Sequence, residues 1–155
     1  MFGARTHRVS APLEGDPDAA FDVARTALLA LGFEILRESE DALHARGPGK
    51  QSNQQPPLLG VSEFHAAVGR RAVEVAATLG GVARMKAFVC LFPPGLLALL
   101  ALTFLAVGMQ PSWSLALFAL PWLAFSPWIA SGLERRTTEA VDRLTRGMAR
   151  ARRRR

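Results

Sequence analysis

AFVCLFPPGLLALLALTFLAVGMQPSWSLALFALPWLAFSPWIASGL, residues 87–133, contains no charged side chain. Each half approaches the roughly 20 apolar residues that the hydrocarbon core of a bilayer requires. The stretch therefore predicts two membrane-crossing helices, at about 87–109 and 113–131, folded into a hairpin with Gln110, Pro111 and Ser112 at the turn. A chain of 155 residues has little other mass with which to cover so much apolar surface. Pro93 and Pro94 remove two backbone donors, which predicts either a kink at Pro94 or a span that starts at Pro93, with residues 87–92 along the headgroups. Trp113 and Trp128 fall near the ends of the second half, where an indole favours the headgroup zone. Trp122 falls centrally and is expected to pack against the first helix. Cys90, the single cysteine, lies in the apolar run and reads as a small buried hydrophobe, so no disulfide is expected.

Working outward, the charge is unevenly placed. Up to Lys86 ten basic and ten acidic residues cancel, while after residue 133 nine arginines stand against three acids and carry the whole net +6. Taken alone, a pI near 11.2 suggests a nucleic-acid binder. Its confinement to the tail, with few aromatics interleaved for base stacking, argues against one. Basic residues are retained on the cytoplasmic side, so Arg84 and Lys86 before the apolar stretch and Arg135 and Arg136 after it predict that both termini are cytoplasmic. Met1 to Arg5 lack the apolar segment of a signal peptide, leaving the first span to direct insertion. Arginine supplies 17 of the 19 basic residues, a usage associated with bacterial genomes rich in G and C. A bacterial inner membrane is the expected location.

Residues 1–81 predict a soluble α+β domain. Val9, Ala11 and Leu13 alternate as a first strand, with Pro12 placing it at an edge or an end. Asp16-Pro17-Asp18 opens a helix, the first aspartate accepting from free amides and the proline tolerated at the first position. Phe21, Ala24, Leu28 and Leu31 then recur at helical spacing before Gly32. Residues 33–35 and 42–46 alternate as two further strands. Phe64, Ala66 and Val68, then Val73, Val75, Ala77 and Leu79, give a pair joined by a tight turn at Gly69 and Arg70. The resulting two-layer β-α-β-β-β-β module has one helix on a mostly antiparallel sheet. Glu34, Glu63, His65, Arg71 and Glu74 fall on the open face as solvated positions.

The long loop at 47–59 holds Gly49-Lys50-Gln51-Ser52, which lacks the spacing of a phosphate-binding loop, since His44 stands where a glycine is needed and no serine follows the lysine directly. Lys50, Gln54, Gln55, Leu58 and Leu59 are candidates for docking a partner, on the expectation that the two leucines are exposed. No catalytic residues, metal ligands or cofactor are predicted: His7, His44 and His65 fall on three different strands, and no serine lies in a nucleophile elbow. After residue 133 a basic amphipathic helix is expected, with Ala140, Val141, Leu144, Met148 and Ala151 on one stripe. It could lie on anionic lipid or pack along the soluble domain. Arg84, Lys86, Arg135, Arg136, Arg150, Arg152, Arg153, Arg154 and Arg155 are the candidate contacts for anionic headgroups.

Two functions fit these features. The first is a non-catalytic interaction module, held at the membrane by the hairpin and binding a protein partner or a second copy of itself. The second is a homo-oligomer binding or transporting a lipid or small molecule. A transport path normally places ionisable residues within the membrane. Here the apolar stretch offers only hydroxyls such as Thr103, Ser112, Ser114 and Ser126, which favours the first.

Overall fold

Asp16 caps the first helix as the sequence requires, its carboxylate accepting from the Asp18 amide at 3.2 Å with Pro17 at the first position. In the computed structural model that helix, α1 (Pro17–Ala30), buries Ala20, Phe21, Ala24 and Leu28, and Gly32, at φ +78°, turns the chain into the next strand. The structure describes residues 3–39, 41–50, 52, 54–108 and 113–152, and for residues 113–120, 123, 124 and 127 only the backbone. The expected turn at Gln110, Pro111 and Ser112 lies outside these.

Five strands, β1 (Thr6–Pro12), β2 (Glu34–Glu38), β3 (Ala42–Arg46), β4 (Glu63–Val68) and β5 (Ala72–Thr78), form one sheet in the order β1-β5-β4-β3-β2. All four pairings are antiparallel. Alternation sorts the faces: Leu43, Ala45, Phe64, Ala66, Val68, Val73, Val75 and Ala77 are buried, and the intervening residues face out. The α+β class and strand order of appearance are as expected.

The covering layer differs from expectation. A single helix, α3 (Trp113–Ala149, 37 residues), runs without a break through residue 134, so the basic segment is not a separate helix. Leu133, Thr137, Val141, Thr145 and Met148 form its buried stripe, packed beside α1 and against β1 and β5. The segment thus packs on the α+β domain, because the sheet needs a second helix to cover its apolar face. Two threonines are tolerated in this stripe since each hydroxyl donates to the carbonyl four residues back, Thr137 to Leu133 at 3.0 Å and Thr145 to Val141 at 2.9 Å. The far end is capped from outside: the amides of Glu14 and Gly15 donate to the Ala149 carbonyl at 2.9 and 3.1 Å, and that of Asp16 to Ala151 at 2.9 Å.

Before it, α2 (Gly80–Ala106, 27 residues) begins earlier than predicted and continues through Pro93 and Pro94. Among the described residues it is the one helix long and apolar enough to cross a membrane, by length and composition. Phe88, Leu91, Phe92, Leu96, Leu99, Leu102 and Leu105 are exposed around it. Trp122 packs against this helix, as expected. Its indole N–H donates to the Val89 carbonyl at 2.7 Å, the acceptor that Pro93, lacking an amide hydrogen, cannot serve.

The loop after β3 is corrected on one point: Leu58 and Leu59 are buried, not exposed. They belong to a short 3-10 turn, Pro57–Gly60, wedged where α2 and α3 leave the sheet. A side-chain carbon on Gly60 would stand 2.7 Å from both Thr137 Oγ1 and Val82 Cγ2, and one on Gly81 2.9 Å from the Leu59 and Gly60 carbonyl oxygens.

Candidate functional site

Two surfaces bring charged side chains together. The first is the sheet face that no helix covers. Because β3 and β4 pair in register, His44 stands directly across from His65, and the neighbouring pairings extend the row to Arg37 on β2 and through Ala76 to Arg8 on β1. The small side chains of Ala42, Ala67 and Ala76 leave a concave space of about 720 Å³ between the arginines, with Glu74 at its side. The imidazoles of His44 and His65 stack with centroids 3.8 Å apart and planes 16° from parallel. His44 Nε2 is closed off and meets no hydrogen-bond partner among the described residues. Burial, and then the adjacent His65, hold the His44 pKa below its ordinary value, so the neutral ring is favoured.

Stacked rings do not point their nitrogens at a common centre. Among the described residues no group of three or more histidine, cysteine or acidic side chains could hold a metal ion. The third histidine is on the other face, where His7 Nε2 meets Asp142 Oδ1 of α3 at 2.8 Å.

The second surface is the junction where α2 and α3 meet the domain. Glu134 takes Lys86 from α2 in a hydrogen-bonded ion pair, and Arg5 from the chain before β1 at 3.6 Å. The Lys86 hydrogen bond holds the Glu134 carboxyl below the usual glutamate range. Lys50 of the loop is largely buried, and that burial, followed by the charge of Arg136 on α3, holds its pKa below the ordinary lysine value. A groove of about 610 Å³ runs from Trp128 past Gly132 to Arg135 and Arg136.

The remaining predicted contacts are dispersed. Arg84 is exposed at the base of α2, and Arg135 is engaged with Glu139 at 2.9 Å. Arg150 faces Glu14 at 3.9 Å, at the opposite end of the charged half of α3, about 20 Å from Arg135 along the helix. Arg152 is exposed there too, and Arg153, Arg154 and Arg155 lie outside the described residues. In the loop, Gln54 is exposed and Gln55 half-buried.

Sequence reasoning missed Glu134 and Arg5. A signal was there for the first, since no acid occurs between Glu74 and Glu134, which therefore stands alone at the edge of the apolar stretch opposite Arg84 and Lys86. Arg8 and Arg37 were not separable from other solvated arginines until the sheet register aligned them. No family model, no curated protein and no solved structure matches the chain.

Proposed function

We propose that this protein is a non-catalytic membrane anchor for a small α+β interaction domain, with α2 and the first half of α3 crossing the bilayer as a hairpin. The observation that carries the reading is α2 itself: its base is fixed by close packing at Gly60 and Gly81, while beyond it Phe88, Leu91, Leu96, Leu99, Leu102 and Leu105 are exposed along its length. Water does not tolerate such a girdle, and lipid does. The cations Arg5, Arg84, Lys86, Arg135 and Arg136 gather at one end of that girdle, supporting a cytoplasmic location for the domain and both termini at a bacterial inner membrane. The uncovered sheet face, flanked by Arg8 and Arg37, is the surface offered to a protein partner.

The test is fractionation with topology mapping. The full chain should remain in the pellet after alkaline carbonate extraction, and a reporter fused at residue 112 should respond from the periplasmic side while one at the C-terminus responds from the cytoplasm. Release into the carbonate supernatant, or a cytoplasmic response at residue 112, would overturn the reading.

A further inference from the structure

The uncovered face of the sheet carries its charge in rows, because each cross-strand pairing sets outward side chains side by side. One row runs Arg37, His44, His65, Ala76, Arg8, with two fixed positive charges and no acid. The row on one side holds Glu34, Arg46 and Glu63, two acids against one arginine. The row on the other side holds Glu74 beside Ser10 and Ala67. Positive charge is therefore confined to a single line that crosses all five strands, with acids along both flanks. Arg8 and Arg37 are exposed, and neither forms an ion pair with a described residue, whereas Arg5, Arg25 and Arg135 each face a carboxylate.

A line of this kind selects by shape as well as by charge. A broad anionic surface, whether bilayer or nucleic-acid duplex, would bring its negative charge against Glu34, Glu63 and Glu74 as well. A compact anion would hold one end only, since four strand spacings, about 19 Å, separate the backbones of the two arginines. An extended peptide is narrow enough to follow the line, and about six residues of it reach from one end to the other. Between the arginines, Ala42, Ala67 and Ala76 leave the concavity of about 720 Å³ into which such a chain can settle. Pairing along the free edge of β2 is a poorer alternative, because the register shift between Ile35 and Arg37 interrupts that edge. We propose that the uncovered face binds an extended segment of a partner protein that carries acidic side chains about six residues apart, one meeting Arg8 and the other Arg37. This inference rests on the partner surface proposed above and adds the chemistry of the partner.

The experiment uses the full chain in nanodiscs of phosphatidylcholine. A phage library of random dodecapeptides is depleted on empty nanodiscs and selected on loaded ones, and the enriched peptides are synthesised and titrated. They should carry two acidic residues about six positions apart. Replacing either acid by its amide should weaken binding about fivefold, the effect of one exposed ion pair. Arg8→Gln and Arg37→Gln should each give the same loss. Ala76→Leu, which fills the space between them without changing the charge, should abolish binding. Arg143→Gln, on the helix layer behind the sheet, should leave it unchanged. Because an altered sheet can lose binding by misfolding, Arg37→Glu is also titrated with peptides in which one acid is replaced by lysine. One of these swaps should restore binding, and restoration by neither would overturn the proposal. Enriched peptides without acids that still depend on Arg8, Arg37 and Ala76 would overturn the acidic partner and keep the face as a docking surface. No enrichment, or peptides indifferent to all three substitutions, would overturn both. Displacement of the peptides by an equal concentration of citrate would reassign the line to a small anion and overturn the proposal. Should the chain stay monodisperse without detergent, the membrane reading falls, and the same selection run in plain buffer decides the site alone.

Discussion

At the scale of single residues, the contact between Trp122 and Val89 shows how a local rule is broken and repaired. Two prolines inside a helix remove two intrahelical bonds, and in an apolar setting an unpaired carbonyl is costly. Trp122 donates to the carbonyl that Pro93 leaves free. Trp122→Phe keeps an aromatic ring, though a smaller one, and removes the donor, so it should destabilise the packing of α2 on α3 by about 1–3 kcal/mol. In a Pro93→Ala background, where the helix can serve its own carbonyl, the same substitution should cost clearly less. Unfolding in mixed detergent micelles gives the four stabilities of this cycle, and strict additivity would sink the account. The position of Trp122 in the middle of an apolar run signalled helix packing; its partner atom was hidden, because the sequence favoured a helix interrupted at the prolines. His44 and His65 posed a similar difficulty. Their strands were legible from alternation, but the register that stacks the rings is set by pairings on both sides of β4 and by a shift in β2 between Ile35 and Arg37.

Among the elements, α3 departs furthest from what its sequence suggests. Its first half is uniformly apolar and its second half amphipathic, a change of pattern that reads as two helices. Nothing breaks the backbone between them, and the helix continues for 37 residues, or about 55 Å. The stripe was legible at Val141 and Met148 but not at Thr137 and Thr145, since a hydroxyl counts as polar until its bond to the preceding turn is made. The end of α3 is held by the amides of residues 14–16, with Gly15 against it. A side-chain carbon on Gly15 would stand 1.9 Å from the Ala151 carbonyl oxygen. Gly15→Ala must therefore move the cap away from the helix end, and a loss of about 1–3 kcal/mol is expected. Chemical unfolding of the full chain in detergent measures it, and an unchanged midpoint would show that the end of α3 contributes nothing. The five strands and α1, by contrast, followed directly from alternation, capping and glycine placement.

For the molecule as a whole, the distribution of charge was readable from the chain and its pairing was not. The excess of arginine after residue 133 looked like a tail for lipid, yet much of it decorates a helix that completes the domain. Glu134 ties three parts together, Arg5 before the sheet, Lys86 on α2 and its own helix α3. Its pKa is lowered in the fold, so the folded state favours the carboxylate. That stabilisation is present above the ordinary glutamate pKa of 4.5 and is lost as pH falls through the lower folded value. Glu134→Gln should therefore lower the unfolding midpoint at neutral pH, with the deficit shrinking once the pH drops below about 4.5. A deficit that stays constant over that range would mean the carboxylate charge is irrelevant to the junction.

The route of α3 also has a bearing on how the protein is made. The sheet and α1 leave the ribosome first, but the helix that completes their cover follows both apolar halves, so the N-terminal portion must wait without Leu133, Val141, Met148 and Ala149 in its core until the returning chain arrives. On the membrane anchoring proposed above, maturation of the domain becomes conditional on delivery to the bilayer. Under that proposal, a copy that misses its translocon is left with an unfinished fold, exposed to the proteases that clear such chains.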